Sequence, residues 1–254
     1  MSGVKPKVLV ISAHAADFCS RAGGTIANYV RAGSPVRVVD MTYGERGESN
    51  RLWLSRRNLT IEEVKAVRKE EAERAAEILG AEIRFMDFDD NPLTMNRERY
   101  EMLTSEIRDF RPTILLTHWL KDPLNPDHEV TAKAALWACV KAADLDDGKP
   151  ITPNPEIFMF EPSVPTNDLS EFRPDTYIDV TETFDVKLKA LREFKTQPGL
   201  PEVYTQWGMF RARQAVLRHD VHGTPGKRDV RYAEAFKRYT PWTGKYFPLS
   251  LEGC

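Results

Sequence analysis

Residues 8–11, Val-Leu-Val-Ile, place apolar side chains on both faces of a would-be strand, the pattern of a central parallel strand covered by helices on each side. The polar stretch 12–17 leads to residues 21–30, where small and apolar residues at helical spacing predict a helix, and Gly23-Gly24 would let it approach the sheet closely. Residues 36–42 predict a second strand, and Ile61–Leu79 a long helix rich in Glu, Lys, Arg and Ala that Gly80 stops. The alternation continues with a strand at 83–86, a helix at 97–110, a strand at 113–117, a loop rich in Asp, Pro and Asn, and a helix at 130–143. Strands at 156–160 and 176–180 follow, the second running into a helix at 183–194. This order predicts an α/β fold with a doubly wound, mostly parallel sheet flanked by helices. The Pro-rich stretches 150–155 and 162–174 lie between strands of that sheet and read as loops, so residues 1–254 are expected to form a single domain. Beyond about Gln206 the mixture of Arg, His and aromatic residues suits either a cover over the active site or a subunit contact.

Composition narrows the function. Lys and Arg total 36 against 38 Asp and Glu, a formal charge of -2, so there is no general basic field to hold nucleic acid or an anionic membrane surface. The three cysteines, Cys19, Cys139 and Cys254, are an odd number without CxxC spacing and suit a reducing cytosol. The first apolar run is far shorter than the roughly 20 residues that span a bilayer. A soluble cytoplasmic protein is expected.

In an open parallel sheet, ligands bind beyond the carboxyl ends of the strands, which directs attention to three post-strand loops. The first carries His14 and Asp17, the second residues 44–49, and the third runs from His118 to His128. His14 and Asp17, three apart on a strand-to-helix turn, can direct an imidazole and a carboxylate at one point. Alone, that pair also fits a turn histidine with a helix-capping Asp, and Asp127-His128 also fits an N-cap pair. Together, His14, Asp17 and His128 make a ligand set that leaves a position open for water or substrate, as catalytic zinc requires. Asp127 would then orient a ligand.

The blocks Ser12-Ala13-His14-Ala15-Ala16-Asp17, Arg21-Ala22-Gly23-Gly24, Gly44-Glu45-Arg46-Gly47, Pro126-Asp127-His128 and Tyr232-Ala233-Glu234-Ala235-Phe236 resemble the LmbE-like, or PIG-L, superfamily of zinc-dependent de-N-acetylases. The resemblance runs along nearly the whole chain and implies a Rossmann-like sheet with metal ligands at His14, Asp17 and His128. Two positions depart from the usual Ala-His-Pro-Asp-Asp and His-x-Asp-His motifs. Ala16 stands where the family's general base is expected, and Asn125 where a His helps stabilise the tetrahedral intermediate. General acid-base assistance contributes roughly 10²–10⁴-fold, so amide hydrolysis would need substitutes for both.

Longer blocks are similar to the branch of this superfamily that contains 4-oxalomesaconate hydratase. They are Ser-Ala-His-x-Ala-Asp-Phe, Gly-Glu-Arg-Gly-Glu-Ser followed by Leu52-Trp53, and Lys-Asp-Pro-x-Asn-x-Asp-His. The resemblance implies addition of water to a conjugated double bond of a small anionic oxo-carboxylate, with Zn²⁺ or another divalent metal stabilising developing negative charge. Glu45 is then the candidate acid-base residue, and Arg46, Lys121 and Asn125 the candidates for binding substrate, with bidentate geometry available to Arg. A homo-oligomer is implied as well. In this branch a His is expected after Glu161-Pro162, where the chain has Ser163. Two other readings stay open: a zinc amidase in which Glu45 or Glu48 replaces the lost Asp, and a metal-binding module without catalysis. His118 reads as a core or supporting histidine, Cys19 as a small buried hydrophobe, and Trp53, Trp119 and Trp207 as packing. His219 and His222 lie among basic residues that suit a lid or an exposed basic face.

Overall fold

The computed structural model describes residues 5–145, 148, 151–164, 166, 168–220, 229–241 and 243, with the side chains of 217–220 outside the description. In chain order the strands are β1 (Val8–Ser12), β2 (Val36–Asp40), β3 (Glu82–Phe85), β4 (Ile114–His118), β5 (Glu156–Phe160), β6 (Thr176–Asp179) and β7 (Ala233–Arg238). The helices are α1 (Asp17–Arg31), α2 (Asn50–Ser55), α3 (Ile61–Leu79), α4 (Arg97–Phe110), α5 (Pro126–Ala143), α6 (Phe184–Leu191) and α7 (Leu200–Asp220). One sheet of 7 strands has the order β3-β2-β1-β4-β5-β7-β6. Its first five members are parallel, and β7 runs antiparallel to both β5 and β6.

The all-apolar run of β1 is explained by its central place. Val8 and Val10 face one core with Val36, Val38 and Leu116, closed by apolar residues of α1, α3 and α6. Leu9 and Ile11 face a second core with Val39, Met41 and Leu115, closed by α4 and α5. All four β1 side chains are fully buried, and burial of each contributes about 1.5–3 kcal/mol relative to exposure.

Helix ends follow local chemistry. Thr60 and Glu63 form a reciprocal capping box at the start of α3, and Gly80 ends it with φ 76°, a left-handed cap that costs glycine no Cβ clash. Two helices start earlier than their apolar periodicity predicts: α1 at Asp17 and α5 at Pro126, so that His128 belongs to the first turn of α5. Proline at a first turn loses no intrahelical hydrogen bond, which is why the Pro-rich loop passes directly into helix. The short helix α2 is a further addition to the predicted elements.

The chain's end holds the largest departure. Residues beyond Gln206 continue α7 and then supply β7, inserted between β5 and β6. Glu234 of β7 is buried, and its carboxylate accepts the N–H groups of Gly24 at 2.9 Å and Thr25 at 2.7 Å and the Lys187 ammonium at 2.6 Å. A polar residue in the strand thus points inward, which hides the strand's period from the sequence. His222, Lys227 and Arg228 of the expected basic cover lie outside the described residues, as do the side chains of Arg218 and His219. Among the described residues, no helix is long and apolar enough to cross a membrane.

Gly24 is where α1 meets the loop after β6 most closely: a Cβ there would fall 2.6 Å from Val180 Cβ. Gly24→Ala is therefore expected to destabilise the protein by about 1–3 kcal/mol through overpacking. Gly199→Ala, whose Cβ meets nothing within 4 Å, should change stability by less than about 1 kcal/mol. Urea unfolding of the two variants against the parent checks both.

Candidate active site

The connections from β1 and its neighbours β2 and β4 diverge, and the crevice beyond β1 is the topological switch point at which such sheets bind ligands. Four side chains meet there. His14 comes from the loop after β1, Asp17 from the first turn of α1, Glu48 from the loop after β2, and His128 from the first turn of α5, which follows β4. One donor atom from each lies within 4.8 Å of those of the other three.

The local structure aims these groups. The His14 N–H donates to Asp17 Oδ2 at 2.9 Å while the Asp17 N–H donates to the His14 carbonyl at 3.0 Å, closing the turn on itself. The N-cap of α1 is Ala16, without a side-chain cap, so the Asp17 carboxylate is free of the capping role. Gly44, at φ 71°, lets the second loop press against the first: its Cβ would sit 3.2 Å from those of His14 and Glu48. Asp127 accepts the N–H groups of Asn91 and Leu93, each at 2.8 Å, and faces His14 Nε2 at 3.4 Å. Asp122 accepts from Ser163 N–H at 2.7 Å and Ser163 Oγ at 3.0 Å, and pairs with His128 Nδ1 at 2.8 Å. Each imidazole thus has one nitrogen against an anchored carboxylate and the other turned inward, the arrangement that orients metal-binding histidines. His118 supports the pair. Its ring stacks on that of His128 with centroids 4.0 Å apart, and its Nε2 accepts the Ala13 N–H at 3.0 Å.

The inward atoms carry the chemical signature of the site. Nδ1 of His14 and Nε2 of His128 are fully buried and have no hydrogen-bond partner among the described residues. Leaving a buried polar atom unsatisfied costs about 1–3 kcal/mol, so two such atoms facing two carboxylates call for a shared cation. Two imidazole nitrogens with the Asp17 carboxylate could hold one divalent metal ion, with the Glu48 carboxylate beside it, and the observed donor set fits that group. Burial opposes charge on His14, but Glu48, Asp127 and Asp17 outweigh it and hold its pKa well above 6.5. Burial likewise opposes ionisation of Asp17, but His128, Arg21 and His118 outweigh it and hold that carboxyl well below its usual range. Asp122, despite its burial, is lowered to about 2 by His128 and the Ser163 N–H.

A cavity of about 170 Å³ opens beside this cluster, lined by Ala16, Asp17, Arg21, Glu48, Ser163 and Tyr204 among others. The expected site residues divide around it. His14, Asp17 and His128 converge, and Asn125 Nδ2 stands 3.5 Å from Glu48 Oε1. Glu45 is fully buried beyond the cluster, where its carboxylate meets Arg46 at 3.2 Å, Lys65 at 3.9 Å and the Asp90 N–H at 3.4 Å. Burial, with Asp90 adding to it, raises the Glu45 pKa. Arg46 is engaged with Glu45, Asp89 and Asp90, and Lys121 with Glu171 at 2.7 Å. Cys19 is a buried thiol pushed up by desolvation. The indole N–H groups of Trp53 and Trp119 bond the Glu45 and Ser170 carbonyls, and Trp207 packs on Phe210. Sequence reasoning missed Glu48 as a cluster member, Asp122 as the partner of His128, and Arg21 as a cavity wall. Each sits inside a motif already singled out, but spacing alone does not say which acid of Gly-Glu-Arg-Gly-Glu turns inward.

Metal binding tests the assignment. His14→Ala and His128→Ala are each expected to abolish stoichiometric retention of a divalent metal, read by elemental analysis after gel filtration. Since His14 binds a proton well above pH 6.5 in the metal-free protein and must lose it to act as a ligand, affinity should fall as pH is lowered from 8 to 6. Calorimetric titration in buffers of different ionisation enthalpy should show proton release on binding.

Comparison with known proteins matches the geometry. The family model for PIG-L, GlcNAc-PI de-N-acetylase, matches residues 9–139, which include all four cluster residues. The chain is 37% identical to the 4-oxalmesaconate hydratase of Pseudomonas putida KT2440 over 95% of this chain and 92% of that one. It superposes with a TM-score of 0.88 on the crystal structure of GalB, the 4-carboxy-2-hydroxymuconate hydratase of the same strain, at 36% identity, covering 95% of this chain and 100% of that one. The diacetylchitobiose deacetylase of Thermococcus kodakarensis is 29% identical over 92% of this chain and 83% of its own. Both the motif-bearing half and the whole length are accounted for by one lineage, and the chain belongs to the PIG-L family.

Proposed function

We propose that the protein is a metal-dependent hydro-lyase that adds water to the conjugated double bond of a small oxo-polycarboxylate such as 4-oxalomesaconate, with zinc as its metal. The observation that carries this reading is Ala16 in the cavity wall beside Asp17. The metal donors are kept while the carboxylate that serves amide hydrolysis in the PIG-L deacetylases is replaced by a methyl group. Hydration expels no amine and tolerates that loss. Whole-length similarity to a hydratase, in sequence and in structure, supports the same reaction class. A homo-oligomeric, cytoplasmic enzyme belongs to the same reading.

Bound at the cluster, a divalent cation supplies Lewis-acid polarisation of the keto acid. Asp127 and Asp122 hold the imidazoles of His14 and His128 in register for it. Glu48 is the proton-transfer group. Its side chain is 17% accessible, against 4% or less for His14, Asp17 and His128, so of the four it offers the cavity the most surface. Its Oε1 faces Asn125 and its Oε2 faces Gln197 Nε2 at 3.4 Å. As water oxygen forms the new C–O bond, a Glu48 oxygen takes the proton from that water. The π electrons of the double bond shift toward the keto group and then form the new C–H bond with a proton returned from Glu48. Proton transfer was expected of Glu45, whose Oε1 faces Arg46, Lys65 and the Asp90 N–H and which is not among the residues that line the cavity.

The family description and the chitobiose deacetylase favour amide hydrolysis as the second reading. A parallel assay separates them. The zinc-loaded protein should bleach the absorbance of a conjugated oxo-triacid without releasing acetate from N-acetylated amino sugars; acetate release without bleaching would reverse the assignment. Glu48→Gln should depress kcat by roughly 10²-fold or more with metal content unchanged, whereas Glu45→Gln should stay within a few-fold of the parent.

A further inference from the structure

Arg21 lies one turn after Asp17 on α1, so the two side chains share a helix face roughly 5–6 Å apart along the axis. Its side chain is 5% accessible and forms part of the cavity wall. A buried guanidinium normally has a carboxylate of its own. This one does not. Its Nη1 donates to Tyr204 Oη at 2.7 Å and Ser20 Oγ at 3.3 Å, both uncharged groups. The nearest carboxylate oxygen is Asp17 Oδ1 at 3.7 Å, on a residue whose Oδ2 faces His118 and His128. The other acids nearby are committed as well: Glu48 to the donor cluster, and Asp122 to His128 and Ser163. Nε of Arg21 is fully buried without a partner, and Nη2 makes no hydrogen bond within the described residues. Once Asp17 serves a cation, the guanidinium charge faces the cavity without an anion of its own.

We infer that Arg21, held in place by the Tyr204 hydroxyl, is the receptor for a substrate carboxylate remote from the metal-facing oxo group, and so sets the preference for oxo-diacids and oxo-triacids over oxo-monoacids. The inference rests on the hydratase reading for its substrate class and gives the site the anion receptor that Arg46 and Lys121 were expected to provide. The spacing is suitable. Nη1 of Arg21 stands 3.7 Å from Asp17 Oδ1, so an acid on the guanidinium and an oxo group at the cluster fit the two ends of one short carbon chain. Arginine adds two further advantages: it stays charged at any pH the enzyme meets, and its planar fork pairs with a carboxylate through two parallel hydrogen bonds.

The test compares two stable probes that differ by one carboxylate, 2-oxoglutarate and 2-oxopentanoate, titrated calorimetrically into the zinc-loaded full chain. The parent should bind the diacid at least about 10-fold more tightly. Arg21→Gln should weaken diacid binding by roughly 10- to 10²-fold, the range for a charged hydrogen bond, and leave the monoacid nearly unchanged. Arg21→Lys should recover only part of the loss. Zinc content and Tm are measured on every variant. If Arg21→Gln fails to fold, Tyr204→Phe is read instead; it keeps the charge and removes only the group that positions it, and should lower diacid affinity several-fold without affecting the monoacid. A parent with no preference for the diacid, or variants that keep the parent's diacid-to-monoacid ratio, overturns the inference. Its failure is separable from that of the hydratase reading. If no conjugated oxo-acid is hydrated yet the diacid preference still depends on Arg21, the reaction is wrong and the receptor stands. If hydration proceeds with an unaltered KM in Arg21→Gln, the receptor is wrong and the reaction stands.

Discussion

Charge balance in the crevice beyond β1 and β4 is the constraint to which the rest of the site conforms. Asp17, Asp122, Asp127, His14, His118 and His128 are all buried there. Removing an ion from water costs several kcal/mol even after the protein relaxes, so each must find compensation within reach. Backbone donors provide much of it: the His14 N–H serves Asp17, those of Asn91 and Leu93 serve Asp127, and that of Ser163 serves Asp122. The carboxylates then hold the histidines, and what remains uncompensated points at the centre. Two imidazole nitrogens lack hydrogen-bond partners and face the carboxylates of Asp17 and Glu48, an arrangement of the kind that a metal completes.

Such a centre needs α1 fixed against the sheet, because that helix carries both Asp17 and Arg21. Gly23 and Gly24 bring it within van der Waals contact of Lys187 and Val180, and Glu234 reaches across from β7 to two N–H groups of its middle turns. The Lys187 ammonium beside Glu234 neutralises the charge so buried. Strand β7 therefore does more than extend the sheet. It ties the chain's late segment to the helix that presents the site, and α7, just before it, supplies Tyr204 to the same cavity.

Within this frame, reaction class depends on a few side chains at the cavity wall, since one fold can carry several chemistries. A methyl group at Ala16 removes a proton acceptor beside the metal donors. Glu48 enters from a different loop, where Asn125 and Gln197 meet its two oxygens. Ser163 takes the place at which an imidazole is expected in the hydratase branch and spends its hydroxyl on Asp122, so it completes the support of His128. In the proposed hydratase, proton chemistry and anion recognition come from separate elements, one beyond β2 and one on α1.

The sequence by itself determined much of this. Apolar runs on both faces of the early strands, together with helices of 3.6-residue period, dictated a doubly wound sheet, because only a strand covered on both sides can bury every residue of such a run. Placement of polar residues after those strands located His14, Asp17 and His128 at one edge. Tertiary structure decided what depends on the direction of a side chain: that Glu48 turns to the cluster while Glu45 turns to Lys65, and that Arg46 and Lys121 are each paired with acids. It also decided that β7, with an inward glutamate, is a strand at all. Periodicity reports which residues avoid water on average, whereas which acid or base a buried charge meets, near or far along the chain, is chosen only when the chain has folded.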